Sequence, residues 1–174
     1  MKTKSICITG IGIALFVVLS MCLRVPLFEN YYICLGYVVM TVYLYTVGVT
    51  SGTLVGALGT FIYCLLINGL RGMPGWILGN VVIGLSLGVC IKATAKMKDK
   101  ITRLLFLEIV AITSTALGIL YCKSLLESVL YSQPILVRVT TNSYAFIADS
   151  LTIMASLLLC PLLHKHINKY ITSN

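Results

Sequence analysis

The chain has 174 residues, of which 59% are hydrophobic and 10% charged, and its mean hydropathy is +1.00. Soluble domains carry about a quarter charged residues, so this composition excludes an ordinary soluble domain and leaves no length for a separate catalytic one. Because a spanning helix needs about 20 apolar residues, we predict an all-α membrane protein: a bundle of six transmembrane helices in a single integral domain over residues 1–174.

The net charge of +8 is distributed in a way that predicts the topology. Basic residues cluster before the first apolar segment, between the fourth and the fifth, and after the last. An even number of spans puts all three clusters on one side, which the positive-inside rule makes the cytoplasm. Both termini are therefore predicted to be cytoplasmic, and the clusters are interpreted as topological signals rather than as a nucleic-acid-binding surface. They comprise Lys2 and Lys4; Lys92, Lys96, Lys98, Lys100 and Arg103; and Lys165 and Lys169.

The first half of the chain predicts three helices, over about 6–23, 33–49 and 51–67. The first is interpreted as a helix rather than a cleaved signal peptide, because no small-residue cleavage pattern follows it. An external loop precedes helix 2, whose tyrosines are interpreted as interfacial anchors, with pocket lining as the alternative: Tyr37, Tyr43 and Tyr45. Small residues recur at every fourth position into helix 3, a pattern that lets two helix backbones approach closely: Gly48, Gly52, Gly56 and Thr60.

The second half predicts helices over about 76–91, 104–121 and 135–163. Gly84 and Gly88 repeat the close-packing pattern in helix 4, and Pro134 can open helix 6. Between helices 5 and 6, the leucines and valine of residues 122–133 are compatible with a short interfacial helix. The seven cysteines show no metal-ligand spacing and are interpreted as packing residues.

A polar stripe on helix 6 is the strongest candidate for a binding surface. Its members are spaced by four, three, four and three residues, which keeps them on one helix face: Arg138, Asn142, Ala145, Asp149 and Thr152. A carboxylate inside a span must face the bundle interior, a cavity or a cationic partner. We therefore predict that Arg138, Asn142 and Asp149 contact a ligand; the alternative is a buried aspartate satisfied by neighbouring hydroxyls or an arginine.

The segment from Asn68 to Asn80 is the second candidate, because Gly, Pro and polar residues gather there beside an apolar helix. Trp76 can offer a stacking plane and Asn80 hydrogen-bonding groups to a bound polar ring. The alternatives are a tryptophan of the interfacial belt and an asparagine that bonds between helices. Met73 and Arg71 are predicted to form a lid over this site; the alternative for Arg71 is a position among the lipid headgroups. For Glu108, intramembrane pairing or snorkelling is at least as good an interpretation as ligand binding.

Several motifs are absent from the sequence. It contains no Gly-x-x-x-x-Gly-Lys-Ser/Thr motif for nucleotide hydrolysis and no Gly-x-Ser-x-Gly, His-Glu-x-x-His or paired-Asp motif. We therefore predict that the chain is not an enzyme and needs no metal or cofactor of its own.

The order of several short motifs resembles the substrate-binding S component of energy-coupling factor (ECF) vitamin transporters. Each motif is loose alone, but together they run along most of the chain: Arg24-Val-Pro, Leu35-Gly36-Tyr37, Gly52-x-x-x-Gly56, Trp76-Ile-Leu-Gly79-Asn80 followed by Gly84 and Gly88, and Pro161-Leu-Leu.

The resemblance implies a six-helix protein of the bacterial inner membrane that captures a vitamin or precursor from outside, mainly with helices 4 to 6 and the outer loops. It also implies a separate energising module, made of two cytosolic ATPases and a membrane coupling subunit, and release of the ligand by tipping of the whole S component. In the family, small residues of helix 1 contact the coupling subunit. Gly10 and Ala14 are their nearest equivalents here.

Two other functions remain open at this point. A self-sufficient secondary carrier or channel, acting as an oligomer, should show inverted repeats and broken helices, which the sequence does not display. A structural or assembly subunit would use Asp149 and Asn80 only for bonds between helices. For the ligand, one carboxylate and two amides favour a water-soluble ring compound such as a pyridoxine- or pyrimidine-like vitamin.

Overall fold

The computed structural model describes residues 3–22, 24–28, 31–68 and 73–171. These residues form a bundle of helices with one antiparallel hairpin, made of β1 (Arg24–Phe28) and β2 (Tyr31–Cys34). The helices are α1 (Thr3–Cys22), α2 (Gly36–Thr46), α3 (Val49–Tyr63), α4 (Met73–Ala93), α5 (Lys100–Thr115), α6 (Ser124–Tyr131) and α7 (Ile135–Ile171). A π-helical turn, Cys64–Asn68, extends α3, and a longer π-helical segment, Ala116–Lys123, joins α5 to α6 without a break.

Five helical stretches of the described chain are long and apolar enough to cross a membrane, which confirms an all-α membrane protein. They are Thr3–Cys22, Val49–Ile67, Met73–Lys96, Lys100–Tyr131 and Ile135–Pro161. Large apolar side chains such as Ile109 and Leu136 are more than half exposed on these helices, as lipid-facing residues are. The count of six spans and the position of the termini remain predictions.

Predicted helix 2 is shorter in the structure than the sequence indicated. The helix was expected over about 33–49, but α2 has 11 residues and reaches about 16 Å, well short of a 30 Å hydrocarbon core. The preceding residues pair as a hairpin, with Arg24 opposite Cys34 and Val25 opposite Ile33. Aromatic and β-branched residues favour strands, and the Tyr31-Tyr32-Ile33 run has this composition.

Helices α2, α3 and α4 lie close together because glycines face the neighbouring helix. A Cβ atom on Gly52 would lie 2.5 Å from Leu44 Cγ of α2, and one on Gly84 would lie 2.6 Å from Thr53 Oγ1 of α3. The predicted close-packing seam is therefore confirmed for helices 3 and 4. Gly48 is not part of it, since a Cβ there would meet nothing within 4 Å. Gly48 instead has φ of 125°, a backbone conformation that favours glycine and allows the sharp turn into α3.

A second close crossing brings α4 against the π-helical segment Ala116–Lys123. A Cβ on Gly79 would lie 2.9 Å from the carbonyl oxygen of Gly118, and a Cβ on Gly118 would lie 2.6 Å from the carbonyl oxygen of Gly79. Backbone therefore meets backbone at this point. The crossing fixes how closely the start of α4 approaches Lys123, since a Cβ on Gly75 would lie 3.1 Å from Cγ of Lys123.

At the other end of the bundle, Asp99 caps the first turn of α5. Its carboxylate accepts hydrogen bonds from the Thr102 hydroxyl and from the backbone N–H groups of Ile101 and Thr102. These hydrogen bonds, led by that from the Thr102 side chain, hold the pKa of Asp99 below its usual range. Because Asp99 caps it, α5 begins at Lys100, about four residues earlier than the predicted start near residue 104.

Candidate functional site

A chain of buried hydrogen bonds connects α2, α3 and α4. The Tyr37 hydroxyl donates to Oδ1 of Asn80 at 2.8 Å and accepts from Nε1 of Trp76 at 2.8 Å. Nδ2 of Asn80 donates to the Thr60 hydroxyl at 2.5 Å and to the carbonyl oxygen of Gly56 at 3.3 Å. Tyr37, Thr60 and Asn80 are completely buried, and an asparagine in such a place needs partners for both ends of its amide.

The structure shows where the Tyr37 side chain lies and which groups the Asn80 amide bonds to. Of the two interpretations of Tyr37, the interfacial anchor is wrong, because its side chain is 0% exposed and its hydroxyl lies at the centre of the hydrogen-bonded chain. Asn80 lies one turn from Trp76 on α4, and both ends of its amide are hydrogen-bonded to other helices, which is the bonding between helices stated as the alternative for this residue. Trp76 is partly buried, and its ring meets that of Tyr63 edge-on with centroids 5.8 Å apart.

Asp149 approaches this chain from α7. Its side chain is buried, it lies within hydrogen-bonding reach of the Tyr37 hydroxyl, and it interacts electrostatically with Lys123. The Lys123 ammonium lies 5.8 Å from the centroid of the Trp76 ring. The polar stripe of α7 therefore faces the bundle interior, as its spacing predicted, and Asp149 brings a carboxylate beside the tyrosine–tryptophan pair.

A second polar cluster lies two turns before Asp149 on α7. Nδ2 of Asn142 donates to the Ser124 hydroxyl at 2.9 Å and to Oε2 of Glu127 at 3.0 Å. Nη1 of Arg138 lies 3.9 Å from the same Glu127 oxygen, and its guanidinium lies 4.8 Å from the Tyr131 ring centroid. Nε of Arg138 is buried and has no hydrogen-bond partner among the described residues. The cluster thus retains one unsatisfied donor.

The two clusters adjoin through the turn that begins α6. A Cβ on Gly75, at the start of α4, would lie 3.1 Å from Cγ of Lys123 and 3.2 Å from Cγ of Glu127. Sequence reasoning missed Lys123 and Glu127, because it considered only the apolar residues of this segment. A usable signal was present: Ser124 and Glu127 are three residues apart and therefore share a face of the helix, and Lys123 directly precedes them.

The remaining candidate residues lie apart from these clusters or outside the described residues. Met73 is the first residue of α4 and is partly exposed, whereas Arg71, its predicted companion in a lid, lies outside the described residues. Gly10 and Ala14 lie on the exposed face of α1, and a Cβ on Gly10 would meet nothing within 4 Å. Glu108 is half-buried on α5, and neither carboxyl oxygen has a hydrogen-bond partner among the described residues.

The chemistry of the site is that of hydrogen bonding and stacking. It combines a carboxylate, an amide, an unsatisfied guanidinium donor, an ammonium group and an indole ring within apolar helices. In the described part of the chain, no group of three His, Cys, Asp or Glu side chains is placed to hold a metal ion. The arrangement suits a polar, ring-containing organic molecule.

Comparison with known proteins points in the same direction. No curated protein matches the chain. The family model described as "ECF-type riboflavin transporter, S component" matches residues 1–169, which is almost the whole chain. That family consists of transporter subunits rather than enzymes. The chain therefore belongs to the family of S components of ECF-type riboflavin transporters, the substrate-binding subunits of these importers.

Proposed function

We propose that this chain captures riboflavin from outside the cell and presents it for import. The observation that carries the proposal is the buried polar site between α4 and α7. Its Lys123 ammonium lies 5.8 Å from the Trp76 ring centroid and interacts with Asp149, and Arg138 lies in the adjoining cluster beside Glu127. Charged groups within a membrane protein are expensive and most often mark a substrate pathway. The family membership supports a flavin among the water-soluble vitamins.

The chemistry of riboflavin fits these groups. Its isoalloxazine ring is planar and can stack on the indole of Trp76, and its imide presents one N–H donor between two carbonyl acceptors. Asp149 would accept from the imide N–H, and Lys123 would donate to a carbonyl. The ribityl hydroxyls would reach the outer cluster, where Nε of Arg138 lacks an acceptor among the described residues. The Asn142 amide oxygen would accept from a hydroxyl, since its N–H groups donate to Ser124 and Glu127. A bound acceptor would remove the cost of that unsatisfied buried donor.

Asn80 and Tyr37 would act on the ligand indirectly. Asn80 accepts from the Tyr37 hydroxyl, and Tyr37 in turn accepts from the indole N–H. This chain holds the Trp76 ring in one orientation before the ligand arrives, which reduces the ordering cost of binding. Asn80 is thus proposed as a positioning residue, while Trp76, Arg138, Asn142 and Asp149 are proposed to contact the ligand and Met73 to border its entrance.

The chain would not work alone. We propose a six-span topology in the bacterial cytoplasmic membrane, with both termini in the cytoplasm and the candidate site in the outer half. Import would require a membrane coupling subunit and two cytosolic ATPases. The sequence supports this division, since it contains no phosphate-binding loop for ATP hydrolysis.

Riboflavin binding by the purified full chain tests the proposal directly. Trp76 is the single tryptophan of the sequence, so its fluorescence reports on the site without labelling. Added riboflavin should quench it with a dissociation constant of about 1 nM, that is about −12 kcal/mol, in the absence of ATPase subunits. The quenching of the fluorescence of riboflavin itself gives a second, independent reading of the same equilibrium.

Pyridoxine and thiamine serve as competitors in the same assay. Displacement of riboflavin by an equal concentration of pyridoxine would show that the site prefers a vitamin with a single small ring. Absence of any bound vitamin, together with transport by the lone chain in vesicles, would instead favour a self-sufficient carrier and contradict the proposal.

The exposed small residues of α1 allow a separate test of the coupling-subunit partner. We expect Gly10→Leu and Ala14→Leu to disrupt close helix contact and to reduce co-purification with the energising module by about tenfold, with riboflavin affinity unchanged. Ala155→Leu is the matched control, because Ala155 is also an exposed alanine of a spanning helix. Equal losses in all three variants would show that Gly10 and Ala14 have no special role.

A further inference from the structure

A cavity lies at the end of the bundle opposite the candidate vitamin site. It has a volume of about 580 Å³ and lies between the α2–α3 turn, the end of α4, the start of α5 and α7. The candidate vitamin site lies at the other ends of α2 and α4, where Tyr37 and Trp76 are found. We call this space the inner cavity. A smaller cavity of about 440 Å³ adjoins it and shares Tyr45, Arg103 and His164 with it.

The inner cavity is lined by basic side chains without acidic ones. Lys92 and Arg103 line it together with His164, and Lys100 lines the adjoining cavity. None of the described residues lining either cavity is an aspartate or a glutamate. Asp99, the acidic residue nearest in sequence, uses its carboxylate to cap α5. Cations gathered in a concave space without a counter-charge repel one another and attract an anion.

Aromatic contacts hold two of these groups in place. The guanidinium of Arg103 lies 5.1 Å from the centroid of the Tyr45 ring, and the His164 ring meets Tyr45 edge-on with centroids 5.4 Å apart. Nε of Arg103 is buried and has no hydrogen-bond partner among the described residues. The guanidinium is therefore oriented by packing while retaining a donor for an anionic oxygen.

The first turn of α3 adds backbone donors to the same space. Gly48, Val49 and Thr50 line the inner cavity, and α3 begins at Val49. The first N–H groups of a helix have no partner within it and carry partial positive charge. Gly48 precedes them without a side chain that could cap them, and its φ of 125° turns the chain into the helix. Backbone amides of α3 and basic side chains of α4 and α5 therefore line the same cavity.

We propose that the inner cavity binds a phosphate group. Arginine donates to phosphate oxygens in a planar fork, lysine acts as a point charge, and helix N-terminal amides complete such sites. The cavity volume exceeds that of phosphate alone, so the group would belong to a larger molecule. Two sources share this chemistry: an anionic phospholipid headgroup of the cytoplasmic leaflet and a soluble phosphorylated compound.

The test uses the purified full chain and two probes at constant ionic strength, because salt screens exposed charges. Inorganic pyrophosphate is titrated in neutral detergent while the midpoint of thermal unfolding is recorded. In parallel, the chain is reconstituted into vesicles of phosphatidylglycerol and phosphatidylcholine, and retained lipid is measured by native mass spectrometry. The variants are Lys92→Gln and Arg103→Gln. Lys98→Gln is the control, because Lys98 belongs to the same basic linker and does not line either cavity.

We expect Lys92→Gln and Arg103→Gln each to weaken phosphate binding by about tenfold, as loss of a charge-assisted hydrogen bond does, and Lys98→Gln to leave it unchanged. Stabilisation by pyrophosphate would identify a soluble ligand, and selective retention of phosphatidylglycerol would identify a lipid. Binding of neither probe, or equal weakening by Lys98→Gln, would overturn the proposal. Riboflavin affinity should be the same in all three variants, which keeps this test independent of the vitamin site.

Discussion

Replacement of Asp149 by alanine is expected to weaken riboflavin binding by at least about 100-fold. Asp149 is 4% exposed and interacts with both Lys123 and the Tyr37 hydroxyl. Loss of a hydrogen bond to a charged group costs about 1.5–3 kcal/mol, and removing the electrostatic partner of Lys123 adds to that cost. Every 1.4 kcal/mol corresponds to about tenfold in affinity. The ligand would also lose the acceptor proposed for its imide. Quenching of Trp76 fluorescence by riboflavin measures the change.

Two further variants separate charge from shape at this position. Asp149→Asn keeps the size and one acceptor but removes the charge, so an intermediate loss is expected. Ser150→Ala is the control on the same turn of α7, because Ser150 is also buried and its hydroxyl has no hydrogen-bond partner among the described residues. Wild-type affinity in Asp149→Ala, with the fold intact, would remove Asp149 from the site.

Replacement of Gly118 by alanine is expected to destabilise the folded protein by about 1–3 kcal/mol, the usual cost of forcing extra atoms into a packed interior. The added Cβ would lie 2.6 Å from the carbonyl oxygen of Gly79 and 2.8 Å from Cγ1 of Ile83. The Gly79 oxygen belongs to backbone and cannot rotate away, so α4 must separate from the segment that carries Lys123. We therefore expect a lower midpoint of thermal unfolding in detergent and weaker riboflavin binding.

Gly10→Ala is the matched control for this substitution. Gly10 also lies in a helix, but an added Cβ there would meet nothing within 4 Å. Its midpoint of unfolding should not fall, whereas that of Gly118→Ala should. A midpoint equally unaffected in both variants would mean that the Gly79–Gly118 crossing can open without cost.

The inward stripe of α7 could be predicted from the sequence because helix periodicity is a local property. The spacing of Arg138, Asn142 and Asp149 is enough to place them on one face. The cost of a carboxylate in lipid indicates that this face points into the bundle. Both inferences need only the residues of one helix, and the burial of Asn142 and Asp149 agrees with them.

Tyr37, Lys123 and Glu127 could not be recognised in this way. Their roles depend on neighbours that are distant in the chain: Tyr37 meets Asn80 across 43 positions and Asn142 meets Glu127 across 15. A tyrosine near the end of an apolar segment has the same local pattern whether it anchors in the interface or bonds inside the bundle. The hairpin before α2 was missed for a related reason, because hydropathy does not distinguish an apolar strand from an apolar helix.

The amino-acid sequence by itself determined that this is a membrane protein, that it resembles S components, and that the polar face of its longest helix points into the bundle. These properties depend on composition, motif order and periodicity, which are read along the chain. Only the tertiary structure decided which polar groups meet: that Asn80 bonds to Tyr37 and Thr60, that Lys123 lies over the Trp76 ring and interacts with Asp149, and that Arg103 packs on Tyr45 beside His164. Hydrogen bonds and charge pairs form where helices approach closely. A glycine in the sequence permits such an approach, but only the structure shows which helix lies against it.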